Sequence, residues 1–397
     1  MKRFGWMLLA SAFVAACQPM EVPQTSSADP MDSLTDAERA AIQRDAARVL
    51  FWTDEQRFDR FRAMDEYFPG RTVTASDARA LPAGAPLPGA AALQQFIEDQ
   101  RITGLMVLQD GTVRFEGYSA DFGPEQRWTS FSVAKSLTST LVGAALKDGY
   151  IDSLDDPLTD YIPELSGTAY DVVSVEDLLT MRSGVEWDEN YADPTSDIAR
   201  LYSQPYQPGV DLNIFYLSKL GRSAEPGTTF NYSTAETNLV GTLVERAVGR
   251  SLADYAQEKI VEPAGFEGDL FWQVDPVSQN IGGCCLMLRL ADFARFGQWF
   301  LEGAPDERGG SVLSEAYRQA AITPATEFES APGYGYGYQW WTYPGAYGAQ
   351  GIFGQGITIV PSQNVVIAYV GNWPTAASDG RRQELQAAIT RAFASTD

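Results

Sequence analysis

The chain has 397 residues, enough for one large domain or two smaller ones, and its 45% hydrophobic content can supply a sizeable core. Its formal net charge of −23 gives a surface that repels phosphate backbones, which argues against nucleic-acid binding. Because the histidine count is 0, a Ser-His-Asp triad, a Cys-His pair and a histidine-ligated zinc site are excluded. A hydrolase built from this chain must use lysine or tyrosine as its base.

The first 17 residues are typical of an export signal. Lys2 and Arg3 provide a positive start, residues 6–16 form a short apolar run, and Val-Ala-Ala-Cys ends the segment at Cys17. This ending resembles the lipobox of bacterial lipoproteins, which implies cleavage before Cys17 and lipidation of its thiol. Gln18 then favours the periplasmic face of the outer membrane. An ordinary cleaved signal with an incidental cysteine is the alternative.

Residues 18–89 are predicted to form a polar tether followed by an N-terminal helical arm. The tether, residues 18–32, is polar and contains three prolines. The apolar spacing within 34–64 predicts one or two helices packed outside the core. A connector rich in alanine and proline over 72–89 leads to a short helix at 91–100.

The remaining elements predict one sheet and one helical lobe. Asp110-Gly111 between two apolar runs predicts a β-hairpin over 104–116. The order of hairpin, helical insert, strands and helix predicts an α/β (α+β) fold, in which both chain ends build one antiparallel sheet and a mostly helical lobe spans about 129–333. Apolar patterns predict helices at 137–146, 175–181, 211–220, 235–249, 290–301 and 381–393, and strands at 334–342, 351–360 and 364–370.

Ser132 and Lys135 are the candidate chemical pair. Their spacing places both on one face of a first helical turn. A serine hydroxyl becomes nucleophilic when a base takes its proton, and a lysine becomes a base when burial or a nearby cation disfavours its ammonium form. The alternative is a surface serine that caps the helix next to an exposed lysine, since Ser-x-x-Lys also arises by chance.

Two further segments make it less probable that the Ser132–Lys135 spacing arose by chance. Residues 226–234 contain Tyr232, and residues 349–361 begin with Ala-Gln-Gly. In this order and spacing the three segments resemble the serine β-lactamase and penicillin-binding-protein superfamily, and most of all its class C-like branch of family VIII carboxylesterases and 6-aminohexanoate-dimer hydrolases. The resemblance covers about residues 90–395 and implies a β-lactamase-like domain over 90–397.

The resemblance implies a role for each matching residue. Ser132 matches the acylated nucleophile, Lys135 its partner base, and Tyr232 a tyrosine that relays protons to the leaving group. A lysine cation next to Tyr232 is expected to lower the pKa of its phenol, whereas a core tyrosine is the alternative. The backbone amides of Ser132 and Ile352 would form the oxyanion hole.

The third segment departs from the β-lactamase pattern. Gln350 and Gly351 are predicted to bind substrate on a strand along the site, but Ala-Gln-Gly stands where β-lactamases have Lys-Thr-Gly. Because that lysine holds the substrate carboxylate, its absence argues against β-lactams and D-Ala-D-Ala peptides, although both remain alternatives. The Tyr-Ser-Thr at 232–234 is similar to the Tyr-Ser-Ser of the nylon-oligomer hydrolases.

Two other features bear on the site. The loop 186–197 resembles a loop that covers the site in those hydrolases, so Tyr191 is predicted to close over the substrate and its acidic neighbours to receive a substrate amine. A solvated acidic loop is an equal alternative. Cys284 and Cys285 form either a vicinal disulfide or two buried thiols, and the sequence favours the thiols.

Taken together, the sequence predicts an exported serine hydrolase that cleaves an ester or linear amide through an acyl-enzyme on Ser132. Its partners are a small-molecule ester or amide and a membrane reached through the lipid anchor, and no cofactor or metal is implied. A non-catalytic wall-binding or sensor domain of the same fold is the alternative from another class of protein.

Overall fold

The computed structural model describes residues 29–119, 121–377 and 380–394. The predicted export signal and Cys17 lie outside these residues. Within the described ranges, no helix combines the length and the apolar character needed to cross a bilayer.

The secondary structure begins with the helices of the N-terminal arm and ends with a long helix. The helices are α1 (Asp36–Ala46), α2 (Asp54–Phe61), α3 (Met64–Tyr67), α4 (Ala90–Asp99), α5 (Ala134–Asp148), α6 (Leu158–Tyr161), α7 (Val175–Leu179), α8 (Asp197–Tyr202), α9 (Leu212–Leu217), α10 (Thr234–Val248), α11 (Leu252–Ala256), α12 (Glu262–Ala264), α13 (Leu290–Leu301), α14 (Glu315–Ala321) and α15 (Arg381–Ala394). The strands are β1 (Gly70–Val73), β2 (Ile102–Gln109), β3 (Thr112–Tyr118), β4 (Arg127–Thr129), β5 (Leu270–Gln273), β6 (Leu286–Arg289), β7 (Thr326–Glu327), β8 (Gly335–Tyr336), β9 (Trp341–Tyr343), β10 (Ala346–Gly351), β11 (Gln355–Val360) and β12 (Val365–Gly371).

The main sheet is antiparallel and has the strand order β3-β2-β12-β11-β10-β9-β8-β7. The prediction of one sheet built from both chain ends is therefore confirmed. The hairpin between β2 and β3 turns at Asp110 and Gly111, whose φ angles of 52° and 71° are those of the turn that Asp-Gly favours.

Helices cover both faces of this sheet. On one face, α4 and α15 bury Leu93, Ile97 and Leu385 against the side chains of β2 and β12. On the other face, α13 lies so close that a Cβ added at Gly297 would come within 2.7 Å of Val366. The predicted amphipathic helix at 290–301 is thus confirmed, with its apolar side against the sheet.

The helical lobe is centred on α5 and α10, which pack against each other. α5 is buried along most of its length and ends at Gly149, whose φ of 79° gives the left-handed cap that glycine adopts without strain. A second sheet of order β1-β5-β6-β4 lies beside the lobe. The sequence did not predict it, because its strands have only three or four residues and are largely buried, so they show little alternation.

Within the N-terminal arm, residues 36–68, α1 packs on the outside of the core as predicted, whereas the same prediction is wrong for α2 and α3, which enter the core. Phe61 and Met64 are buried in the main apolar cluster. The buried Arg57 holds the arm to the segment after β12, since its Nε donates to Asn372 Oδ1 at 3.0 Å. The sequence pattern does not predict this burial, because the arm is rich in charged residues and only a narrow stripe of each short helix faces inward.

Two predicted strands are corrected. The predicted strand 351–360 is two strands, because β10 ends at Gly351 and β11 begins at Gln355. Between them Phe353 and Gly354 have φ angles of 60° and 102°, which reverse the chain. The predicted strand 334–342 likewise divides into the shorter β8 and β9.

Candidate active site

The segment with Ser132 is a 3₁₀ turn, Phe131–Val133, that continues into α5. Phe131 has a φ of 42°, an uncommon left-handed conformation for a non-glycine residue. The Phe131 ring is held by edge-on packing against Phe61 of the arm, with ring centroids 4.9 Å apart. Side chains of the arm thus support the backbone that presents Ser132.

Lys135 lies in the first turn of α5 and is only 1% exposed, so the interpretation as an exposed lysine is wrong. Its Nζ donates to Thr234 Oγ1 at 3.0 Å and to the carbonyl oxygen of Gly283 at 2.9 Å. Burial lowers the pKa of Lys135 to about 7, while the charge of Glu189 opposes that shift. A substantial neutral fraction is therefore available near pH 7, and a neutral amine keeps one lone pair after its two N–H groups are bound.

Tyr232 precedes α10 and lies beside both members of the pair. The Lys135 Nζ is 5.3 Å from the centroid of its ring, and the Ser132 side chain is near enough to lower the pKa of its phenol. Its ring stacks on Trp341, with centroids 5.7 Å apart. The structure thus brings Ser132, Lys135 and Tyr232 together.

The expected lowering of the Tyr232 pKa is wrong. Burial and the negative charge of Glu189 raise the pKa of the phenol, although the nearby Ser132 side chain opposes them. The expectation assumed a lysine cation, but burial favours the neutral form of Lys135. Tyr232 therefore stays protonated near neutral pH and can act as a hydrogen-bond donor or a proton relay.

Glu189 is a residue of the site that the sequence did not single out. Its carboxylate accepts hydrogen bonds from the Thr234 backbone N–H at 3.0 Å, from the Thr234 hydroxyl, from Tyr191 OH at 2.8 Å and from Trp187 Nε1. A negative charge at the first residue of α10 is favoured by the helix dipole. The acidic run 186–197 contained Glu189, but only the fold separates this carboxylate from its exposed neighbours.

Tyr191 lines the cavity described below and donates its hydroxyl proton to Glu189. The loop therefore brings Tyr191 to the cavity beside Ser132, and its closing over a substrate stays a prediction. Since internal donors occupy both oxygens of Glu189, this carboxylate is not free to receive a substrate amine.

The third predicted segment lies against the nucleophile turn. A Cβ added at Gly351 would come within 2.5 Å of the Ser130 carbonyl oxygen, so the end of β10 and the turn are in close contact. Ile352 follows on the tight turn and lines the same cavity as Ser132. Gln350 lies on β10 and donates to Tyr343 OH, on the neighbouring β9.

Arg382, on α15, is a second residue that sequence analysis missed. It donates to the carbonyl oxygen of Gly351 and to that of Gln355 at 2.9 Å. The carbonyl of Gly351 belongs to the same peptide unit as the N–H of Ile352. The guanidinium therefore fixes and polarises the peptide that was predicted to supply the second oxyanion donor.

A cavity that opens to solvent adjoins Ser132, and the empty space in it, together with the open solvent at its mouth, is about 570 Å³. Among the described residues that line it, none has a charged side chain. The lining residues come from the arm, the segments around Ser132 and Thr234, the loop 186–197 with α8, the stretch from the end of β5 to the start of β6, and the turn after β10: Ala46, Val49, Leu50, Met64, Phe131, Ser132, Tyr191, Ile198, Tyr202, Thr234, Gln273, Ile281, Cys284, Cys285 and Ile352. The site therefore offers an uncharged, mostly apolar surface next to a nucleophile.

Cys284 and Cys285 form a vicinal disulfide, so the preference for two buried thiols is wrong. Cys285 has a φ of 72°, which lies in the left-handed region. The choice depends on the backbone conformation of two residues, which residue type and spacing do not reveal.

Comparison with known proteins identifies relatives of this arrangement. The β-lactamase family model matches residues 90–392. The 6-aminohexanoate-dimer hydrolase of Paenarthrobacter ureafaciens is 30% identical over 302 residues, which cover 71% of this chain and 75% of that protein. A β-lactamase of Pseudomonas fluorescens is 26% identical over 187 residues, which cover 44% and 48% of the two chains.

Solved structures show the same fold. One from Bacillus anthracis, assigned as a 6-aminohexanoate-dimer hydrolase, superimposes with a TM-score of 0.75 at 20% identity, covering 85% of this chain and 94% of its own. A family VIII carboxylesterase has a TM-score of 0.60 at 16% identity, with 79% and 99% covered. At these identities the likeness concerns the fold alone.

Proposed function

Since the chain belongs to the β-lactamase family, we propose that it is a serine hydrolase that cleaves an ester or a linear amide through an acyl-enzyme on Ser132. The observation that carries the proposal is the cluster of the buried Ser132 and Lys135 with the half-buried Tyr232 at the edge of an uncharged cavity. The arrangement holds a hydroxyl, an amine with a pKa of about 7 and a protonated phenol within one small space.

In the first step the Ser132 Oγ attacks the carbonyl carbon of the substrate, and its proton passes to Lys135, directly or through Tyr232. The negative charge on the carbonyl oxygen is stabilised by the backbone N–H groups of Ser132 and Ile352. As this tetrahedral species collapses, the proton is delivered to the leaving alcohol or amine.

In the second step water attacks the acyl group on Ser132. The amine of Lys135, neutral again, takes a proton from the water through the same hydroxyl relay, and Ser132 recovers its proton when the carboxylic acid leaves. Glu189 holds Thr234 in place as an acceptor for Lys135, which favours a fixed orientation of the amine.

The uncharged cavity guides the choice of substrate. An apolar group gains about 0.8 kcal/mol for each methylene removed from water, whereas a charged group loses hydration there. We therefore propose that the group that enters the cavity is neutral. Because the lysine of the β-lactamase Lys-Thr-Gly motif is replaced by Ala349, hydrolysis of anionic β-lactams is the weaker candidate.

A hydrolysis panel tests this function. Full-length protein and Ser132→Ala are assayed with p-nitrophenyl acetate, p-nitrophenyl octanoate, the linear dimer of 6-aminohexanoate and a chromogenic cephalosporin. We expect ester or linear-amide turnover that falls at least ~10³-fold in Ser132→Ala. Turnover of the cephalosporin alone would favour a β-lactamase, and failure of a fluorophosphonate probe to label Ser132 would favour the non-catalytic alternative.

We further propose that the chain is exported and lipidated on Cys17, from its resemblance to lipoprotein signals. Membrane partition and incorporation of a labelled fatty acid are compared between the native chain and Cys17→Ser in a Gram-negative host. Label in the native protein alone is expected, whereas equal labelling of both would contradict the assignment.

A further inference from the structure

We propose that the Cys284–Cys285 disulfide is a positioning element for Lys135, and that its reduction by a dithiol lowers the turnover number. The inference rests on the proposed function and concerns the same site. It starts from the amine of Lys135, which has two hydrogen-bond acceptors, Thr234 Oγ1 and the Gly283 carbonyl oxygen.

These two acceptors fix the direction of the amine lone pair. A neutral amine has two N–H groups and one lone pair. With one N–H on Thr234 and the other on Gly283, the remaining direction of the tetrahedral nitrogen is left for the proton of the nucleophile. If the Gly283 carbonyl moves away, the amine can rotate, and the base is no longer held in one orientation.

The disulfide restrains the backbone that presents this carbonyl. Gly283 directly precedes Cys284, and its N–H donates to Asn238 Oδ1 at 2.9 Å. Cys285 lies in the left-handed region with a φ of 72°, a conformation that is unfavourable for a non-glycine residue. The covalent link between adjacent side chains holds this conformation, and reduction removes that restraint.

The same segment is joined to the nucleophile turn. Leu286 N–H donates to Ser130 Oγ at 3.0 Å, and Ser130 N–H donates to the Leu286 carbonyl oxygen at 2.8 Å. Cys284 and Cys285 also line the cavity beside Ser132, so a small dithiol has a route to the sulfurs. One disulfide therefore lies between the hydrogen bonds that reach Lys135 and those that reach Ser130.

The redox step balances with a dithiol as reductant. The dithiol transfers two electrons and two protons, the S–S bond between Cys284 and Cys285 breaks, two thiols form, and the dithiol closes to its own cyclic disulfide. A compartment rich in dithiols would thus lower the activity, and reoxidation would restore it.

The experiment measures kcat and KM for p-nitrophenyl acetate and octanoate before reduction with dithiothreitol, after it, and after reoxidation. Reduction is verified by titration of two additional thiols. We expect kcat to fall ~10–10²-fold for both esters, with KM nearly unchanged, because a displaced base slows each reaction alike. If the disulfide only lined the cavity and contacted the substrate, its reduction would instead raise KM for the octanoate ester and leave the kinetics of the acetate ester unchanged.

Two variants separate the bond from the backbone conformation and guard against simple unfolding. Cys284→Ala/Cys285→Ala should have the low kcat of the reduced enzyme and should not respond to dithiothreitol. Cys284→Ala/Cys285→Gly should recover much of the loss, because glycine adopts a positive φ without strain. Circular dichroism and melting temperature identify variants that have lost the fold.

Native kcat after verified reduction would overturn the inference, and so would equal activity of the alanine and glycine variants. Both results leave the proposed function intact as long as Ser132→Ala still abolishes turnover. Loss of labelling at Ser132 in the native enzyme would instead refute the proposed function itself.

Discussion

Two of the groups of residues that line the cavity differ in what they contribute. The group around Ser132 and Thr234 is polar and internally hydrogen-bonded, through Lys135 and Glu189. The group from the N-terminal arm, which includes Val49 and Leu50, is apolar. The first group lies within residues 90–392, which match the family model, and the arm precedes them. We therefore expect the reaction chemistry to depend on the first group, and the arm to add to substrate choice beside apolar residues of the matched region such as Ile198 and Ile281.

The largest effect is expected on the polar side, at Lys135. Lys135→Met should lower kcat ~10³–10⁴-fold, because no other base would take the proton of Ser132. In the native enzyme kcat/KM should rise as the pH increases through about 7, since the amine becomes neutral above the pKa that burial gives it. Stopped-flow and steady-state assays with p-nitrophenyl acetate measure both quantities. Lys147→Met, at an exposed position of the same helix, is the control and should keep native activity.

The next effect concerns the turn after β10. Arg382→Met should lower kcat ~10–10²-fold with a small change in KM, because the Gly351–Ile352 peptide loses the cation that orients it. Arg381→Met is the matched control, since Arg381 donates to Gln100 rather than to the turn. Equal kinetics of the two variants would contradict a role for Arg382 in the site.

A smaller effect is expected on the apolar side. Leu50→Asp should reduce kcat/KM for p-nitrophenyl octanoate ~10-fold and leave acetate within about twofold, because a carboxylate in the cavity disfavours a long acyl chain. Phe51→Asp, next to it but 50% exposed, is the control. If both substrates lose activity equally in Leu50→Asp, then the arm supports the nucleophile turn instead of selecting the substrate.

The smallest effect is expected on the stability of the fold, at a buried carboxyl outside the proposed reaction. Burial raises the pKa of Glu236 to about 7, although hydrogen bonds from Ser183 and Tyr170 oppose this. Because the folded state prefers the protonated acid, its contribution to stability is complete below the ordinary pKa of 4.5 and is lost as the pH rises through about 7. Glu236→Gln should therefore raise the melting temperature at pH 8 by a few °C and change it little at pH 5.

Calorimetry at the two pH values measures this change, with the exposed Glu225→Gln as control. Glu245, whose pKa burial also raises to about 7, leaves part of the pH dependence in place. An unchanged difference between pH 5 and pH 8 in Glu236→Gln would show that this carboxyl does not titrate in that interval.

The sequence predicts those features that depend on local pattern. Ser132 and Lys135 are close because three positions of a helical turn bring them together, and the β2–β3 hairpin follows from two turn residues. Local pattern does not predict the contacts of Glu189 and Arg382. Glu189 meets Thr234 from 45 positions away, and Arg382 meets Gly351 from 31 positions away, so their partners depend on the assembled fold.

The burial of the arm and the disulfide are not predicted from the sequence for a different reason. Phe61 and Met64 lie in short, highly charged helices, whose inward stripe is too narrow to predict burial. Cys284 and Cys285 are adjacent in either redox state, so the sequence leaves the choice to the backbone. The resemblance to a family supplied the roles of the polar group, and it supplied nothing about the arm.

The strand order of the main sheet determines at what stage of chain synthesis the candidate site can form. β2 and β12 are neighbours near one edge of it, and Asn364 donates to Asp110 across 254 positions of the chain. β12 must therefore leave the ribosome before β2 can pair with it, and high contact order slows the search for that pairing. The strand that supports the nucleophile turn, β10, also belongs to this late part, so a nascent or C-terminally truncated chain has no assembled site.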